Sequence, residues 1–469
     1  MTNPNVILDR VCRAVDRLIE ASRPYHGLFP SMLDPRTGRM LTEIPDPIEG
    51  QRPWDRAYHG SNLIHDEPTL LTMTGLAAAL GRRHYAQAVE RYLDHFVAHC
   101  TNTPSGLFPW GEHSYWDLAE DRIGNSFAVA RPDPDVPPIH DHLRQAPLWL
   151  WQAIAERDPD RLARFAAGLD WHIKDGEPVE YSRHAFLDAS ARQGREQPSC
   201  DFPRHSGFYI FDLAAAHHLA PEPGQLELLR RFLDYWWTRR ESDGVLPVQT
   251  HDTDEVAGLA PSQTLSLACS LLEAAPLVES DDPELSVEMN QRAATYIEGF
   301  LAAPHDLDAG IFLLLYRRDG TRKPMPIYGS AYGVWPAAYI GLVALLTHRL
   351  TGNGALLRWA AAVARSSAAT AFPDNVAVPA MDAGLSLGLM ADLFDLTGDE
   401  RYLKDGLALA DRAPEACFLP DADLPLGASG IDWYESQMGP GFLLHGLARI
   451  ALLAKMGPDC PIPADYTAR

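Results

Sequence analysis

The sequence predicts an all-α protein in which paired helices form a closed (α/α) toroid, with seven hairpins by our count and six as the alternative. Two observations predict this fold class. Amphipathic and uniformly apolar helical segments alternate along the chain, and a short loop motif recurs between the pairs. Self-similar segments of this kind are typical of repeat architectures. No low-complexity tract or linker divides the 469 residues, so we expect a single domain over 1–469.

The first type of segment predicts the outer helices of the ring. Apolar residues recur at i, i+3, i+4 and i+7 and charged residues fill the other face, as on a helix that lies at a protein surface. Asp, Asn or Gly-Asp turns before several of these segments supply N-caps. The segments cover 4–22, 80–100, 157–172, 221–237, 281–301, 351–366 and 397–412.

The second type of segment is apolar on most sides and predicts the buried inner helices. Each one precedes an amphipathic segment, and the N-terminal helix completes the last pair, which favours a closed ring over an irregular open solenoid. Gly-apolar-apolar-Pro loops at 27–30, 106–109 and 244–247 would lead from an outer helix to the next inner helix. The apolar segments cover 66–80, 144–155, 206–219, 262–275, 330–350, 381–396 and 437–454.

The net charge of the chain limits the classes of ligand that it can bind. The formal charge is −23 at pH 7, which argues against nucleic acid or an anionic membrane as a partner because both require a basic face. The same charge would repel an acidic polysaccharide at long range, so a site for such a substrate has to be locally positive.

Location is predicted from the N-terminus and the cysteines. Residues 1–20 form an amphipathic helix without the basic, apolar and small-residue regions of a secretion signal. No apolar run approaches the roughly 18 residues of a membrane span, and the six cysteines include no C-x-x-C pair. We therefore expect a cytoplasmic protein with reduced cysteines; the sequence leaves its oligomeric state open.

One end of the ring is predicted to carry the functional site. The N-termini of the inner helices converge there with partial positive charge and unpaired N–H groups. The loops that enter them are rich in Trp, Tyr, His, Arg and carboxylates, a mixture that stacks on sugar rings and binds hydroxyls. The predicted substrate-binding residues are Asn62, Trp110, His113, Arg144, Tyr328, Tyr332, Trp335, Trp433 and Glu435, and Trp116 and Tyr434 are further aromatic platforms.

Two basic or metal-binding motifs stand out in these loops. Arg204 and His205 directly precede a buried segment, where basic groups at an already positive helix end call for an anionic ligand. His140, Asp141 and His142 form an H-x-H pair that is compatible with a metal ion.

The hairpin count, the Arg204–His205 pair and the dispersed His and Glu residues resemble the (α/α)-toroid polysaccharide lyases, and polysaccharide lyase family two in particular. In that family an arginine beside a metal-ligating histidine acts as the base, and a second histidine and a glutamate complete the metal site. The resemblance implies that Arg204 is the base and that His65, Glu112 and His205 bind a divalent metal ion.

Such a lyase would cleave an acidic oligo- or polysaccharide, its expected partner, by β-elimination. The carboxylate beside C5 has to be neutralised by a metal ion or an arginine before the C5 proton can leave. Arginine is a poor base, so other side chains are kept as candidates for proton transfer. The predicted catalytic set is Arg204, His205, Tyr209 and His142, with Tyr209 or Tyr332 as the acid and His113 or His142 as alternative metal ligands.

A glycoside hydrolase on the same toroid is the main alternative, because two carboxylates across a cleft are sufficient for hydrolysis. A sugar epimerase of the same shape and a non-enzymatic binding scaffold are further alternatives. The candidate carboxylates are Asp66, Glu67, Glu112, Asp117, Asp252, Asp254 and Glu435.

Overall fold

The structure, a computed structural model, describes residues 3–130, 136–141, 143–197, 200–251 and 257–469. Within these ranges seven long helices form an inner layer and seven form an outer layer. The inner helices are α2 (Leu63–Leu80), α5 (Leu148–Arg157), α7 (Pro203–Leu219), α9 (Pro261–Val278), α11 (Ala337–Thr351), α13 (Ala380–Thr397) and α15 (Pro440–Met456). The outer helices are α1 (Pro4–Ser22), α3 (Arg83–His95), α6 (Pro159–Gly168), α8 (Gln225–Trp237), α10 (Pro283–Ala302), α12 (Gly354–Ala369) and α14 (Glu400–Cys417), and a short α4 (Ser126–Ala130) lies between α3 and α5.

Burial differs between the two layers as the sequence predicts. Every residue from Pro203 to Ala216 of α7 is buried, and so is every residue from Ala380 to Leu393 of α13. The outer helices bury one stripe each, because their charged residues face solvent. In the described part of the chain, none of the helices is both long and apolar enough to span a membrane.

The inner helices close into a ring. Each of α5, α7, α9, α11 and α13 packs against the next inner helix, and α15 packs against both α2 and the outer helix α1. A hydrogen bond from Trp149 Nε1 to Glu67 Oε1 (2.9 Å) joins α5 to α2. The prediction of a toroid with seven hairpins is therefore confirmed.

Helix ends follow the expected chemistry with two shifts. Asp282, Asn353 and Asp399 cap outer helices by accepting hydrogen bonds from backbone N–H groups. The inner helices predicted from residues 144 and 330 begin later, after Pro147 and Pro336, because a proline disfavours helical backbone at the residue that precedes it.

Short strands lie in the segments that lead into inner helices. They form two-stranded sheets β1–β9, β5–β6 and β7–β8 and a three-stranded sheet β2–β3–β4. All the pairings are antiparallel, and they connect the loops at the end where the inner helices begin. The strands are β1 (Met32–Leu33), β2 (Gly60–Ser61), β3 (Ser114–Asp117), β4 (Arg122–Asn125), β5 (Ile139–His140), β6 (Ala185–Phe186), β7 (Leu313–Tyr316), β8 (Arg322–Pro324) and β9 (Tyr434–Glu435).

Candidate active site

Two adjoining cavities lie among these loops at the N-terminal end of the inner helices. The first has a volume of about 670 Å³ and the second about 880 Å³. Glu112, Tyr332 and Trp335 line both of them. The two cavities therefore form one cleft, with an aromatic pair and a carboxylate at their junction.

A buried ionic cluster lies at this junction. Arg183 places Nη2 at 2.7 Å from Glu112 Oε2 and Nη1 at 3.4 Å from Asp141 Oδ2. The same Nη2 donates a hydrogen bond to Tyr332 Oη (3.2 Å). Three groups that could bind substrate or move a proton are thus held within reach of one guanidinium.

His113 connects this cluster to a third carboxylate. Its Nε2 lies 3.6 Å from Glu112 Oε2 and 3.7 Å from Asp141 Oδ2, and its Nδ1 lies 3.5 Å from Asp55 Oδ1. Asp55 in turn pairs with Arg52 at 2.9 Å. His113 therefore lies among three carboxylates, of which Asp55 and Glu112 line the first cavity.

A tight turn positions Glu112 and His113. Gly111 has φ of +101°, and a Cβ at this position would lie 2.0 Å from Asp141 Oδ1, so a side chain cannot be accommodated. The backbone N–H of Glu112 donates to Asp141 Oδ1 (2.6 Å). Asn62, at the N-cap of α2, donates to the carbonyl of Gly111 (2.8 Å), which ties the turn to the first inner helix.

Two groups of side chains could hold a metal ion. His113, Asp141 and His184 form one, and Asp55, Glu112 and His113 form the other; in each, the three ligand atoms lie within 4.8 Å of one another. The Nε2 atoms of His113 and His184 are buried without a hydrogen-bond partner. Neutral imidazoles and carboxylates are suitable ligands for a divalent metal, so the donor set fits such an ion.

Burial and neighbouring charges shift the pKa values of these groups in different directions. Burial, together with the charge of Arg183, lowers the pKa of both His113 and His184 well below its ordinary value, which keeps them neutral. Burial would raise the pKa of Glu112, but the charge and hydrogen bond of Arg183 outweigh it and lower that pKa. Burial and the nearby Glu112 charge raise the pKa of Asp55 and of Asp141.

Arg204 lines the second cavity. Its Nη1 donates to Tyr339 Oη (3.0 Å), and its Cζ lies 4.8 Å from the ring centre of Trp335. Trp335 and Tyr339 stack with their centroids 5.3 Å apart. Across the described ranges Arg204 forms no ion pair with a carboxylate, so this buried cation is available to an anionic ligand.

Six of the fifteen residues predicted for catalysis, substrate binding or metal binding surround the cleft. Glu112, Arg144, Arg204, Tyr332 and Trp335 line the cavities, and His113 lies in the ionic cluster next to them. His142 lies outside the described residues, as do Asp252 and Asp254.

Other predicted residues serve as supports away from the cavity walls. Tyr209 Oη lies 3.2 Å from His172 Nδ1, and Trp110 Nε1 donates to His140 Nε2 (2.9 Å). Tyr328 Oη donates to the carbonyl of Ser367 (2.8 Å).

Glu435 is already satisfied by protein partners. Its carboxylate receives hydrogen bonds from Arg56 Nε (2.8 Å) and Nη2 (2.7 Å), from Gln51 and from Trp433. Neither Glu435 nor Trp433 lines the two cavities.

The structure does not bring His65 and His205 together with Glu112 as one ligand set. His65 is buried in the first turn of α2, and His205 lies in the first turn of α7 with its ring between those of Phe202 and Phe208. Within the described ranges Glu112 instead groups with Asp55 and His113, because Arg183 and the carboxylate of Asp141 hold it there.

Arg52, Asp55, Arg183 and His184 belong to the site but were not predicted from the sequence. One signal was available, because the Arg-His dipeptide occurs at 183–184 as well as at 204–205. The pair at 183–184 precedes no inner helix directly, so helical periodicity gives it no weight. Pairing of β5 with β6 brings it beside Asp141.

Comparison with known proteins gives one match at the level of protein families. A family model described as periplasmic pectate lyase matches residues 40–199, the part of the chain that contains Asp55, Glu112, His113, Asp141 and Arg183–His184. This accords with the resemblance to polysaccharide lyases. A search of the curated proteins gave no match.

Several solved structures are similar to this chain at low identity. An α-mannanase of glycoside hydrolase family 76 from Bacteroides thetaiotaomicron is 12% identical, with 66% of this chain and 84% of that chain covered and a TM-score of 0.42. A cellobiose 2-epimerase from Bacillus thermoamylovorans is 10% identical, with 66% of this chain and 86% of that chain covered and a TM-score of 0.43. A D-mannose isomerase is 11% identical, with 77% and 96% covered and a TM-score of 0.47.

The family match overturns one expectation. The matching family is described as periplasmic, so the prediction of a cytoplasmic protein is wrong. The absence of a recognisable secretion signal in residues 1–20, on which that prediction rested, was not a sufficient basis for it.

Proposed function

We propose that residues 1–469 act as one domain and that the chain is an enzyme that cleaves a uronate-containing oligo- or polysaccharide by β-elimination in the two-cavity cleft. The observation that carries this proposal is the His113–Asp141–His184 group beside the buried Arg183, which lines the second cavity together with Tyr332 and Trp335. The proposal keeps the resemblance to polysaccharide lyase family two and moves it from the Arg204–His205 pair to the Arg183–His184 pair.

His113, Asp141 and His184 would hold a divalent metal ion, with Glu112 beside them. When bound, such an ion supplies positive charge that neutralises a substrate carboxylate and so makes the neighbouring C–H more acidic. Arg52 and Arg183 bring further positive charge to the same place, and Tyr332 and Trp335 offer ring faces to a sugar.

Proton transfer then falls to Arg183 and Tyr332. The resemblance gives the role of base to the arginine before a metal-ligating histidine, which in this arrangement is Arg183 rather than Arg204. Burial would lower the pKa of Arg183, but the neighbouring charges, that of Glu112 foremost, outweigh it and raise that pKa above its ordinary value. The guanidinium therefore has to pass a proton to Glu112, 2.7 Å away, before it can accept one from C5. The base removes the C5 proton, the C–H electrons form the C4–C5 double bond, and the C4–O bond breaks. Tyr332, whose hydroxyl lies 3.2 Å from Arg183, would return a proton to the leaving oxygen.

A spectrophotometric assay tests the proposal. Elimination creates an unsaturated uronate that absorbs in the ultraviolet, whereas hydrolysis does not. We expect absorbance to rise with an oligogalacturonate or another uronate oligosaccharide, and a chelator to abolish the rise. His184→Ala should lower the rate by about 100-fold or more, and His84→Ala, on an exposed side chain, should not. Cleavage of none of these substrates, or full activity of His184→Ala, would contradict the proposal.

One observation favours hydrolysis as a second candidate. Ligand oxygens of Asp55 and Glu112 lie within 4.8 Å of each other, close to the roughly 5 Å of retaining glycosidases. Burial raises the pKa of Asp55, whereas Arg183 holds that of Glu112 down, which separates an acid from a nucleophile. New reducing ends without ultraviolet absorbance, lost in Glu112→Gln, would select this alternative.

A further inference from the structure

Residues 462–469, here called the axial segment, pack against the inner helices, and five of the eight are buried. Ile462 packs against Gly75 of α2, where a Cβ would lie 2.4 Å from its Cγ1. Two residues of α15 hold the backbone, since His445 Nε2 lies 2.9 Å from the carbonyl of Pro463 and Arg449 Nε donates to that of Ile462 (3.2 Å). The segment is therefore fixed to α2 and α15.

The axial segment ends with Arg469 in the wall of the second cavity. Arg469 is 3% exposed and is one of the residues that line this cavity. Its Nη1 lies 2.5 Å from Glu273 Oε2 and 3.1 Å from Cys269 Sγ, both on α9. Its Nε is buried without a hydrogen-bond partner, an arrangement that costs free energy.

The lining of the second cavity has a surplus of positive charge. Arg183, Arg204, Lys323 and Arg469 line it, whereas Glu112 is the one acidic side chain among the described lining residues. Glu112 is already paired with Arg183. Arg469 is paired with Glu273, which leaves Arg204, buried and without a carboxylate partner in the described ranges, as a cation that favours an anionic ligand in this strongly negative chain.

We propose that Arg469 and Arg204 form an anion-binding subsite that holds a substrate carboxylate in the second cavity, apart from the Glu112–Arg183 centre. This inference rests on the proposed function for the identity of the substrate. A guanidinium presents parallel N–H donors that match a carboxylate. Tyr339, which accepts from Arg204 and lines the same cavity, would lie beside the bound carboxylate. Glu273 is a positioning residue that fixes the Arg469 side chain.

Two matched variants separate binding from a structural role. Arg469→Ala and Glu273→Gln both break the Arg469–Glu273 ion pair, but only the first removes the cation from the cavity. Affinity would be measured by calorimetry with a galacturonate trisaccharide and with the uncharged galactose trisaccharide. The full chain would carry His184→Ala so that turnover does not consume the probe.

We expect the acidic trisaccharide to bind more tightly than the neutral one. Arg469→Ala should weaken binding of the acidic trisaccharide by about tenfold or more and leave the neutral one unchanged, whereas Glu273→Gln should change either affinity by less than about threefold. If Arg469→Ala unfolds, Arg469→Lys keeps the ion pair but loses Nε, and it should still weaken acidic binding.

Three results would overturn the inference: equal losses in Arg469→Ala and Glu273→Gln, undiminished affinity in Arg469→Lys, or equal binding of the two trisaccharides by the parent protein. Failure of the proposed function is a separate result. If binding depends on charge and requires Arg469, but the wild-type chain forms no unsaturated product, the subsite is supported and the lyase is rejected.

Discussion

At the scale of single residues, Asp66 shows how burial turns a carboxyl group into a pH-dependent element of stability. It is 1% exposed in the first turn of α2 and accepts hydrogen bonds from Tyr92 Oη (2.7 Å) and Ser61 Oγ (3.3 Å). Burial raises its pKa to about 7. Because the folded state holds this proton more tightly than the unfolded state, Asp66 stabilises the fold below about pH 4, and this contribution is lost as the pH rises to about 7.

Asp66→Asn removes the ionisation and keeps an oxygen that can accept from Tyr92. We expect the variant to match the wild type at about pH 4 and to gain a few kcal/mol relative to it at about pH 8. Denaturant unfolding at a series of pH values measures this, with Asp411→Asn at an exposed position as the control. Parallel stability curves for wild type and Asp66→Asn would contradict the assignment.

The local sequence around each site residue decides whether that residue could be predicted. Glu112, His113, Arg144, Tyr332 and Trp335 were predicted because aromatic and charged residues are concentrated in their loops. The pair Arg183–His184 was missed because two-residue strands, such as β5 and β6, have no readable period. A buried carboxylate such as Glu435 likewise cannot be distinguished by sequence from one that faces a cavity, because its partner Arg56 lies 379 positions away.

At the scale of elements, the contact between α13 and α15 depends on a small residue. A Cβ at Gly384 would lie 2.4 Å from both the backbone N of Leu443 and the carbonyl carbon of Phe442, so the two helices would have to separate. Gly388, one turn further along α13, has no atom within 4 Å of its Cβ position. The two glycines thus form a matched pair on one helix.

Gly384→Ala should lower the free energy of unfolding by about 1–3 kcal/mol through overpacking. Gly388→Ala should raise it by up to about 1 kcal/mol because alanine favours a helix interior. Thermal unfolding of both variants measures the difference. Equal effects of the two substitutions would mean that helix propensity alone decides stability here and that the close approach does not.

The helices could be predicted from the sequence because their apolar residues recur with a helical period. All fourteen long segments correspond to observed helices, because each carries a burial pattern over several turns. The starts of α5 and α11 were placed too early, since apolar loop residues before Pro147 and Pro336 extend the apolar pattern without being helical.

At the scale of the whole molecule, the ring places a small positive cavity inside a strongly negative protein. The chain carries −23 at pH 7, whereas four cations line the second cavity. At about 0.01 M salt the Debye length is roughly 30 Å, so a long polyanion experiences the charge of the whole protein. At about 0.1 M it is roughly 10 Å, and charges inside a buried cavity are screened much less than those on the surface.

This difference predicts opposite salt dependence for long and short substrates of the proposed lyase. Raising the salt concentration from about 0.01 to about 0.1 M should increase kcat/KM for a long polyuronide, because it screens the repulsion that slows the encounter. The value for a trisaccharide should stay constant or fall, since a short substrate depends mainly on the cavity cations. Initial rates for the two chain lengths across this range measure the effect. A fall of kcat/KM with salt for both substrates would mean that the cavity, rather than the net charge, governs approach from a distance.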